Sequence, residues 1–360
     1  MELVNKLMKQ AVSENIFPGG VLLVFWEDSI IFFKAYGYAN IFSKRRMDED
    51  TIFDLASLTK PLATTLAIMV LIQQHRLDLE QDIGSVLPQF DKTEKNNIKI
   101  SHLLYHNSGL PDYRPYYRKL RKLPIDTRIF VLRDLLVKEP LLHPIGQKVL
   151  YSDIGFMILR WVVESVSGSR LDQFVYEKIY RPLKIEDLFF IDLDSERRNG
   201  KFAATELCPW RNILLEGAVH DDNAYVMGGI EGHAGLFGTA NDVNILLSEL
   251  LAAFNDRSLI HVFQKDLVNK FFERQEDSGR ALGFDTPSLF DSNCGNYFSK
   301  KSIGHLGFTG TSFWMDLERS VIVLLLTNRI HPSRDNLKIK VFRSKLHDTI
   351  LKNIQMKNKN

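Results

Sequence analysis

Apolar and polar residues follow a helical period at the start of the chain and then give way to two apolar runs. Residues 2–15 have apolar side chains at helical spacing, which predicts a first helix. The runs GGVLLVFW (19–26) and SIIFFKAYGYA (29–39) are rich in β-branched and aromatic residues, and only Glu27 and Asp28 stand at the break between them. This pattern predicts an antiparallel hairpin.

Helical patterns dominate the middle of the chain. The apolar stretch DLASLTKPLATTLAIMVL (54–71) predicts a long helix. From about residue 76 to residue 240, loops that contain Pro and Gly interrupt further helical patterns. These patterns are KISHLLYH, TRIFVLRDLLVKE and DIGFMILRWVVESVSG.

Strand patterns return near the C-terminus in GHLGFTGT, SFWMD and SVIVLLLTN. The segment Leu317-Glu318-Arg319 joins the last two, and a connection this short requires antiparallel pairing. A final amphipathic helix, KVFRSKLHDTILKNI, leads into a Lys- and Asn-rich tail. We expect this tail, residues 353–360, to be disordered.

Strands at both chain ends with helices between them predict an α+β fold. We expect one antiparallel sheet, flanked by helices and built from both chain ends, with a mostly helical domain inserted into it. The sheet domain would be discontinuous, comprising residues 1–75 and 241–352, and the inserted domain would comprise residues 76–240.

The composition narrows the classes of partner. The chain of 360 residues is 45% hydrophobic, enough for a large core. Its formal net charge is +2, which gives no electrostatic reason to expect nucleic acid or an anionic membrane as a partner. The only cysteines, Cys208 and Cys294, are far apart, which predicts two free thiols in a reducing compartment.

The N-terminal stretch lacks the uninterrupted apolar core of a signal peptide. No apolar run reaches the ~20 residues that a membrane span needs. We therefore expect a soluble cytoplasmic protein without a cofactor, and the sequence leaves its oligomeric state open.

Ser57 and Lys60, three residues apart in SLTK, form a candidate catalytic pair. If a helix begins near Ser57, this offset places Lys60 on the same face, within reach of the serine hydroxyl. The positive end of the helix would favour an oxyanion at the Ser57 N–H and would lower the pKa of Lys60. The alternative is that Ser57 or Thr59 caps an ordinary helix and Lys60 is solvated.

Two further stretches contain possible partners for this pair. Tyr151, in YSDIG, precedes a helix, and its hydroxyl could shuttle a proton between the serine and the leaving group. His305 and Gly307, in GHLGFTGT, lie at the head of a strand where glycine would let a substrate approach and an edge N–H could complete an oxyanion hole. The alternatives are a capped helix after a half-buried aromatic residue, and a glycine-rich strand packed against another backbone.

These three stretches, in this order, resemble the motifs Ser-x-x-Lys, Tyr-x-Asn and Lys-Thr-Gly or His-x-Gly of the serine β-lactamase-like family. That family comprises class C β-lactamases, penicillin-binding DD-peptidases and related esterases and amidases. The intervening stretches FPGGVLLV, LLYHNSGLPDY, GHAGLFGTANDV, ALGFD and GFTGTSFWMD resemble it too, so the similarity covers most of the chain.

The resemblance implies a role for each motif residue. Ser57 would be the acylated nucleophile, Lys60 its proton acceptor, and Tyr151 the shuttle that later activates water. The N–H groups of Ser57 and Phe308 would form the oxyanion hole. The β-lactamase/transpeptidase-like fold would follow as well.

Asp153 and His305 depart from the β-lactamase pattern, which has Asn and Lys at these positions. A carboxylate near Lys60 should raise the pKa of that lysine, which favours a cationic Lys60 and moves more of the base role to Tyr151. A neutral histidine would bind a substrate carboxylate poorly, so the His-x-Gly form resembles the esterase and amidase branches more.

Several other polar residues are expected to be structural. Ser108, in NSGLPD, follows no strand as a nucleophile elbow would require. His102, His106 and His233 have no spacing that suggests metal ligands, and we expect no metal site.

The stretch EGAVHDDNAYVMGGIEGHAGLFG resembles cytoplasmic enzymes that remove the peptide from N-acetylmuramic acid, and also penicillin-binding protein 4B-like proteins. Its residues His220, Asp221, Asp222 and Asn223 could bind sugar hydroxyls, and Tyr225 could stack on the ring. The alternative is a network of Asx turns that holds the loop itself.

The sequence therefore predicts a serine hydrolase whose preferred substrate is the N-acetylmuramoyl–L-alanine amide of a muropeptide. The first rival is a carboxylesterase built from the same residues, and a DD-peptidase or β-lactamase comes after it. A non-catalytic scaffold is disfavoured because Ser57, Lys60 and Tyr151 are all present.

Overall fold

A computed structural model describes residues 1–195, 199–276, 278–288 and 292–357. The helices are α1 (Glu2–Ser13), α2 (Thr65–Gln73), α3 (Ile83–Val86), α4 (Ile100–Leu104), α5 (Tyr117–Leu120), α6 (Ile125–Lys138), α7 (Asp153–Ser167), α8 (Leu171–Val175), α9 (Asp222–Val226), α10 (Ala240–Phe254), α11 (Lys265–Phe272) and α12 (Ile339–Lys357). The strands are β1 (Gly19–Trp26), β2 (Ser29–Asn40), β3 (Arg45–Arg46), β4 (Phe53–Asp54), β5 (Leu188–Phe190), β6 (Leu207–Cys208), β7 (Ile213–Leu214), β8 (Leu236–Gly238), β9 (Ser302–Leu306), β10 (Ser312–Asp316) and β11 (Val321–Thr327).

A six-stranded antiparallel sheet joins the two ends of the chain, in the order β3-β2-β1-β11-β10-β9. The predicted hairpin is present as β1 and β2. Strand β1 then pairs with β11, with Gly20 opposite Thr327. The predicted α+β fold with a sheet built from both chain ends is therefore confirmed.

The two faces of this sheet are both buried, which explains why its central strands are apolar at nearly every position. Leu22 and Leu325 face α1 and α12, where they join a cluster with Met8 and Leu346. The alternate residues, such as Leu23, belong to the larger core with α2, α7 and α10. Because each such side chain contributes about 1.5–3 kcal/mol on burial, the sheet forms a rigid support for the segments that follow it.

A second, three-stranded sheet in the order β4-β8-β5 lies next to the start of α2, and β6 pairs with β7. Helices α3 to α9 lie between β4 and β8 in the sequence, and α7 is buried over residues 154–163. The division into a sheet domain and an inserted domain at residues 76 and 240 stays a prediction.

The predicted long helix at 54–71 begins differently from the expectation. A 3-10 turn, Ala56–Leu58, and a π-helical turn, Lys60–Thr64, precede α2. Pro61 has no N–H to donate to the carbonyl of Ser57, so a regular α-helix cannot form there. The catalytic candidates therefore lie on an irregular turn rather than on the helix itself.

The predicted disordered tail also differs from the structure in part. Helix α12 continues to Lys357, because Ile354 is buried between the sheet and the terminal helices. Residues 353–357 are thus helical, and residues 358–360 lie outside the described part of the chain.

One helical stretch among the described residues, Ala56–Gln73, is long and apolar enough to cross a membrane. Of this stretch, 83% is buried within the protein, where it forms the core beneath the candidate site.

Candidate active site

Ser57 lies on the tight turn that follows β4. The preceding Ala56 has a φ of +48°, and its N–H donates to Oδ1 of Asp54 at 2.8 Å. Thr59 stabilises the turn, because its hydroxyl donates to the Ala56 carbonyl and accepts from the N–H of Leu236 in β8. These bonds hold Ser57 half-buried at the edge of a cavity.

Lys60 is fully buried directly below Ser57. Its Nζ donates to Ser57 Oγ at 3.1 Å, to Asp153 Oδ1 at 2.7 Å and to the His233 carbonyl at 3.3 Å. Burial alone would lower the pKa of Lys60, but Asp153 and Tyr151 raise it above its ordinary value. The expected cationic Lys60 is therefore supported, and a solvated lysine is ruled out.

Tyr151 lies between the rings of His106, at 4.6 Å, and His305, at 5.8 Å between centroids. Burial raises the pKa of Tyr151 above its ordinary value, and Asp153 adds to this effect. Lys60 and Ser57 lower the pKa but do not cancel the increase, so the side chain is a neutral phenol. Ser152 caps α7 by accepting from the N–H of Gly155, so the predicted helix cap and the placement of Tyr151 occur together.

His305 is buried and neutral in this site. Burial is the main cause that lowers its pKa to about 4, with Lys60 and Arg280 lowering it further. Its Nδ1 donates to the carbonyl of Leu306 at 2.9 Å, and its Nε2 has no partner among the described residues. A neutral His305 is the form for which the sequence predicts poor binding of a substrate carboxylate.

Close packing within the protein explains why glycine stands at position 307. A Cβ added there would lie 2.0 Å from Thr311 Oγ1 and 2.7 Å from the carbonyl oxygen of Leu55, next to the serine turn. The glycine therefore lets β9 approach the Ser57 segment closely. This supports the alternative of packing against another backbone over space for a substrate.

A cavity of about 370 Å³ opens above these residues. It is lined by Ala56, Ser57, Tyr113, Tyr151, Asp153, His220, Asp221, Asp222, His233, Ala234, Phe308 and Arg334. Phe308 is 49% exposed, and its ring stacks on His220 with 5.5 Å between centroids and 19° between planes. The role of the Phe308 N–H in an oxyanion hole stays a prediction.

The loop predicted to bind substrate divides into two groups. His220 and Asp222 line the cavity, whereas Asn223 and Tyr225 do not. The side chain of Asn223 accepts from the N–H of Tyr117 and donates to a carbonyl, so it joins two loops.

Tyr225 is likewise occupied by its own surroundings. Its ring lies under the guanidinium of Arg211, 4.2 Å from the ring centre, and packs against Trp210. Both side chains are thus engaged within the protein, and contact of Asn223 and Tyr225 with a substrate stays a prediction. The loop sequence could not separate these residues, since its polar side chains point in several directions.

His233 has acidic neighbours that its sequence position did not reveal. Its ring and the carboxylates of Asp153 and Asp221 place their ligand atoms within 4.8 Å of one another, a grouping that the spacing in the sequence did not suggest. The ammonium of Lys60 already pairs with Asp153, and His233 Nε2 bonds Asp221 at 3.0 Å. Burial would lower the pKa of His233, but Asp221 raises it above its ordinary value. The Lys60 ammonium already offsets the charge of Asp153, which disfavours a divalent cation here.

The remaining expectations for structural residues fit their contacts. Nδ1 of His102 accepts from the N–H of Lys99, and Nδ1 of His106 accepts from the N–H of Ser152. Ser108 is buried and is absent from the cavity lining.

Two residues of the cavity had no role predicted from the sequence. Arg334 follows the last strand and pairs with Glu206, and Tyr113 lies in a loop before α5. Only the fold brings them to the mouth of the cavity. The assembled site thus offers a hydroxyl beside a buried ammonium, a phenol that can relay a proton, and a polar pocket for the substrate.

Comparison with known proteins finds relatives that match most of this chain. A family model described as Beta-lactamase matches residues 4–345. The N-acetylmuramyl-L-alanine amidase of Bacillus subtilis (strain 168) is 33% identical to this chain and the match covers 91% of the chain and 80% of the relative. A putative D-alanyl-D-alanine carboxypeptidase of Escherichia coli (strain K12) is 31% identical, covering 90% and 82%.

Two solved structures share the fold. EstCE1, a hydrolase with promiscuous acyltransferase activity, has a TM-score of 0.73 at 24% identity, covering 95% of this chain and 98% of its own. The octameric penicillin-binding protein homologue from Pyrococcus abyssi has a TM-score of 0.76 at 19% identity, covering 98% and 77%. The chain therefore belongs to the Beta-lactamase family and is a serine hydrolase of the β-lactamase/transpeptidase superfamily.

Proposed function

We propose that this enzyme cleaves the N-acetylmuramoyl–L-alanine amide of muropeptides through an acyl-enzyme at Ser57. The observation that carries the proposal is the Lys60 ammonium, which bonds both Ser57 Oγ and Asp153 beneath a polar cavity. The Bacillus subtilis relative, which is named as an amidase of this specificity, supports the choice of substrate.

Acylation uses Tyr151 as a relay. The Lys60 ammonium favours the serine alkoxide, and a neutral phenol can accept a proton only while it gives up its own. The Ser57 proton therefore moves to the oxygen of Tyr151 as the Tyr151 proton moves to the leaving nitrogen. The bond from Ser57 Oγ to the acyl carbon forms, the amide C–N bond breaks, and the phenol is regenerated.

Deacylation repeats the relay with water. One water proton passes to Tyr151 while the Tyr151 proton returns to Ser57, and the ester bond to Ser57 breaks. The acyl group leaves as a carboxylic acid. All three catalytic groups then have their starting protonation.

The acyl side of the substrate would occupy the cavity beside Phe308. The exposed face of this ring can stack on a sugar, and the polar groups of His220, Asp222 and Arg334 surround it. Asp222 is held in place by Trp210 Nε1, at 3.0 Å, so it offers a fixed acceptor to a sugar hydroxyl.

The deciding experiment is release of free N-acetylmuramic acid from a purified muropeptide. The wild type should release it, and Ser57→Ala should release none and should lose labelling by a fluorophosphonate. Ser108→Ala is the matched control and should keep both. Release of D-alanine instead would assign a carboxypeptidase, and turnover of short-chain nitrophenyl esters alone would assign an esterase.

We also propose that the enzyme acts in the cytoplasm. Cys208 and Cys294 are both free and buried, as expected in a reducing compartment. Fractionation of cells that produce the native chain, followed by immunoblotting, tests this, and recovery outside the cytoplasm would contradict it.

A further inference from the structure

Arg280 contacts the ring of Tyr151 but does not line the catalytic cavity. Its guanidinium carbon is 5.7 Å from the centre of the Tyr151 ring, and it pairs with Asp285, whose backbone bonds β9 at Gly304. The Nε of Arg280 is buried and has no hydrogen-bond partner among the described residues. A buried guanidinium donor without an acceptor is costly unless a ligand or water completes it.

Arg280 also lines a separate polar cavity of about 500 Å³. Among the described lining residues the charged groups are Arg274, Arg280 and Asp285, an excess of one positive charge. Arg274 donates to the neutral carbonyl of Pro287 at 2.8 Å, so no carboxylate offsets its charge through that bond. Trp314, which is 2% exposed, adds an Nε1 that also lacks a partner in the described chain. Each of these donors is suited to an anion.

This cavity lies next to Tyr151, the residue that protonates the leaving group in the proposed relay. Tyr151 gives its proton to the leaving nitrogen in the proposed relay, so the leaving group departs past Tyr151. Val149, two residues earlier, lines the same cavity as Arg280. Two extended residues of a leaving peptide span about 7 Å. This length lets a carboxylate on that peptide reach the guanidinium of Arg280, which lies 5.7 Å from the centre of the Tyr151 ring.

His305 cannot perform this task, because it is neutral and its Nδ1 is bonded to the backbone. We propose that Arg280 is the specificity residue that binds a carboxylate carried by the leaving group. The proposal rests on the acyl-enzyme at Ser57 and extends the proposed amidase function to the peptide side of the substrate.

A pair of simple esters tests the proposal without a sugar or a peptide. The acetyl esters of 3-hydroxybenzoate and 3-hydroxybenzamide differ in the leaving group by a carboxylate against a neutral amide. A charged hydrogen bond contributes about 1.5–3 kcal/mol, so the wild type should have a kcat/KM about 10- to 100-fold higher for the carboxylate ester. Arg280→Gln should remove this preference and leave turnover of the amide ester within about threefold.

Matched variants separate charge recognition from loss of structure. Arg280→Lys should keep part of the preference because it retains the charge. The double variant Arg280→Gln/Asp285→Asn removes the ion pair as a unit, so no buried carboxylate remains unpaired, and it should also lose the preference. Arg257→Gln removes one positive charge from an exposed pair with Asp28 and should change neither rate.

Equal rates of the wild type on the two esters would overturn the proposal, as would a preference that survives in both Arg280→Gln and the double variant. Failure to release N-acetylmuramic acid would overturn the amidase assignment alone, because the ester pair reports on Arg280 independently of the natural acyl group. If both esters were inert in the wild type and in every variant, the acyl-enzyme proposal and the Arg280 proposal would both fail.

Discussion

The ammonium of Lys60 lies 2.7 Å from the carboxylate of Asp153, fully buried beneath the serine turn, whereas Asp153 itself lines the catalytic cavity. A buried cation of this kind is stable only with its counter-charge, because the interior solvates ions poorly. The pair therefore keeps Lys60 charged, and Tyr151 is left as the group that moves the proton.

Replacing Asp153 by Asn should change the pH dependence of catalysis. The pKa of Lys60 is raised in the wild type, so the cation persists into alkaline solution; without Asp153 burial lowers that pKa. We expect the alkaline limb of kcat/KM on a nitrophenyl ester to move down by at least one pH unit. Asp112→Asn, at an exposed carboxylate, is the control, and superimposable profiles for Asp153→Asn and the wild type would show that the two groups are not coupled.

Replacing Tyr151 by Phe should remove the relay and keep the fold. The ring still packs between His106 and His305, so the melting temperature should stay within a few degrees. Loss of the proton-transferring hydroxyl should lower kcat on a neutral ester by about 10²- to 10⁴-fold. Tyr36→Phe loses a hydroxyl bonded to Asn5, away from the catalytic cavity, and should keep kcat. A Tyr151→Phe enzyme with kcat within threefold of the wild type would disprove the relay.

Replacing Phe308 by Ala should separate the ring from the backbone N–H. The ring stacks on His220 at the mouth of the cavity, whereas the N–H is unchanged by the substitution. Loss of an aromatic contact of about 0.5–1.5 kcal/mol should raise KM for a muropeptide about two- to tenfold, with kcat on acetyl esters preserved. A fall in kcat without a change in KM would instead point to a disturbed oxyanion hole.

His347, on α12, should make the fold sensitive to acid. Burial, assisted by Arg343, lowers its pKa to about 3, below the ordinary value near 6.5 of the unfolded chain. The unfolded state therefore binds a proton first as the pH falls below about 6.5, and stability is lost until the pH reaches the folded pKa. At pH 4.5 this amounts to about 2–3 kcal/mol.

Urea unfolding between pH 7 and pH 4.5 measures the effect. The wild type should lose more stability over this interval than His347→Leu does, whatever the difference between them at pH 7. His75→Gln, at an exposed position after α2, is the control for loss of an imidazole. Parallel losses in the wild type and His347→Leu would contradict the assignment.

The strands of the central sheet could be predicted because their apolar runs are long and rich in β-branched residues. The start of the catalytic segment could not be predicted. The left-handed Ala56 donates its N–H to Asp54 and accepts from the hydroxyl of Thr59, whose own partner, Leu236, is remote in the sequence. Hydrophobic periodicity predicts regular helices and strands but gives no information on such turns.

The candidate site was predictable only where short motifs mark it. Ser57, Lys60 and Tyr151 are brought together as their order in the chain suggested, and Asp153 joins them at the first position of α7. Arg280 carries no motif, and its closeness to Tyr151 follows from the packing of segments far apart in the sequence. The side-chain amide of Asn223 is suited to a sugar hydroxyl, but its oxygen already accepts a hydrogen bond from the N–H of Tyr117.

The pairing of β1 with β11 has a consequence for biosynthesis. The partner of Gly20 is Thr327, so the centre of the sheet cannot close until almost the whole chain has left the ribosome. At about 5–20 residues per second, the first hairpin would wait roughly 15–60 s with its apolar edge unpaired. Chaperone binding to that hairpin during translation is therefore expected, and slow-translating messages should lower the yield of active enzyme.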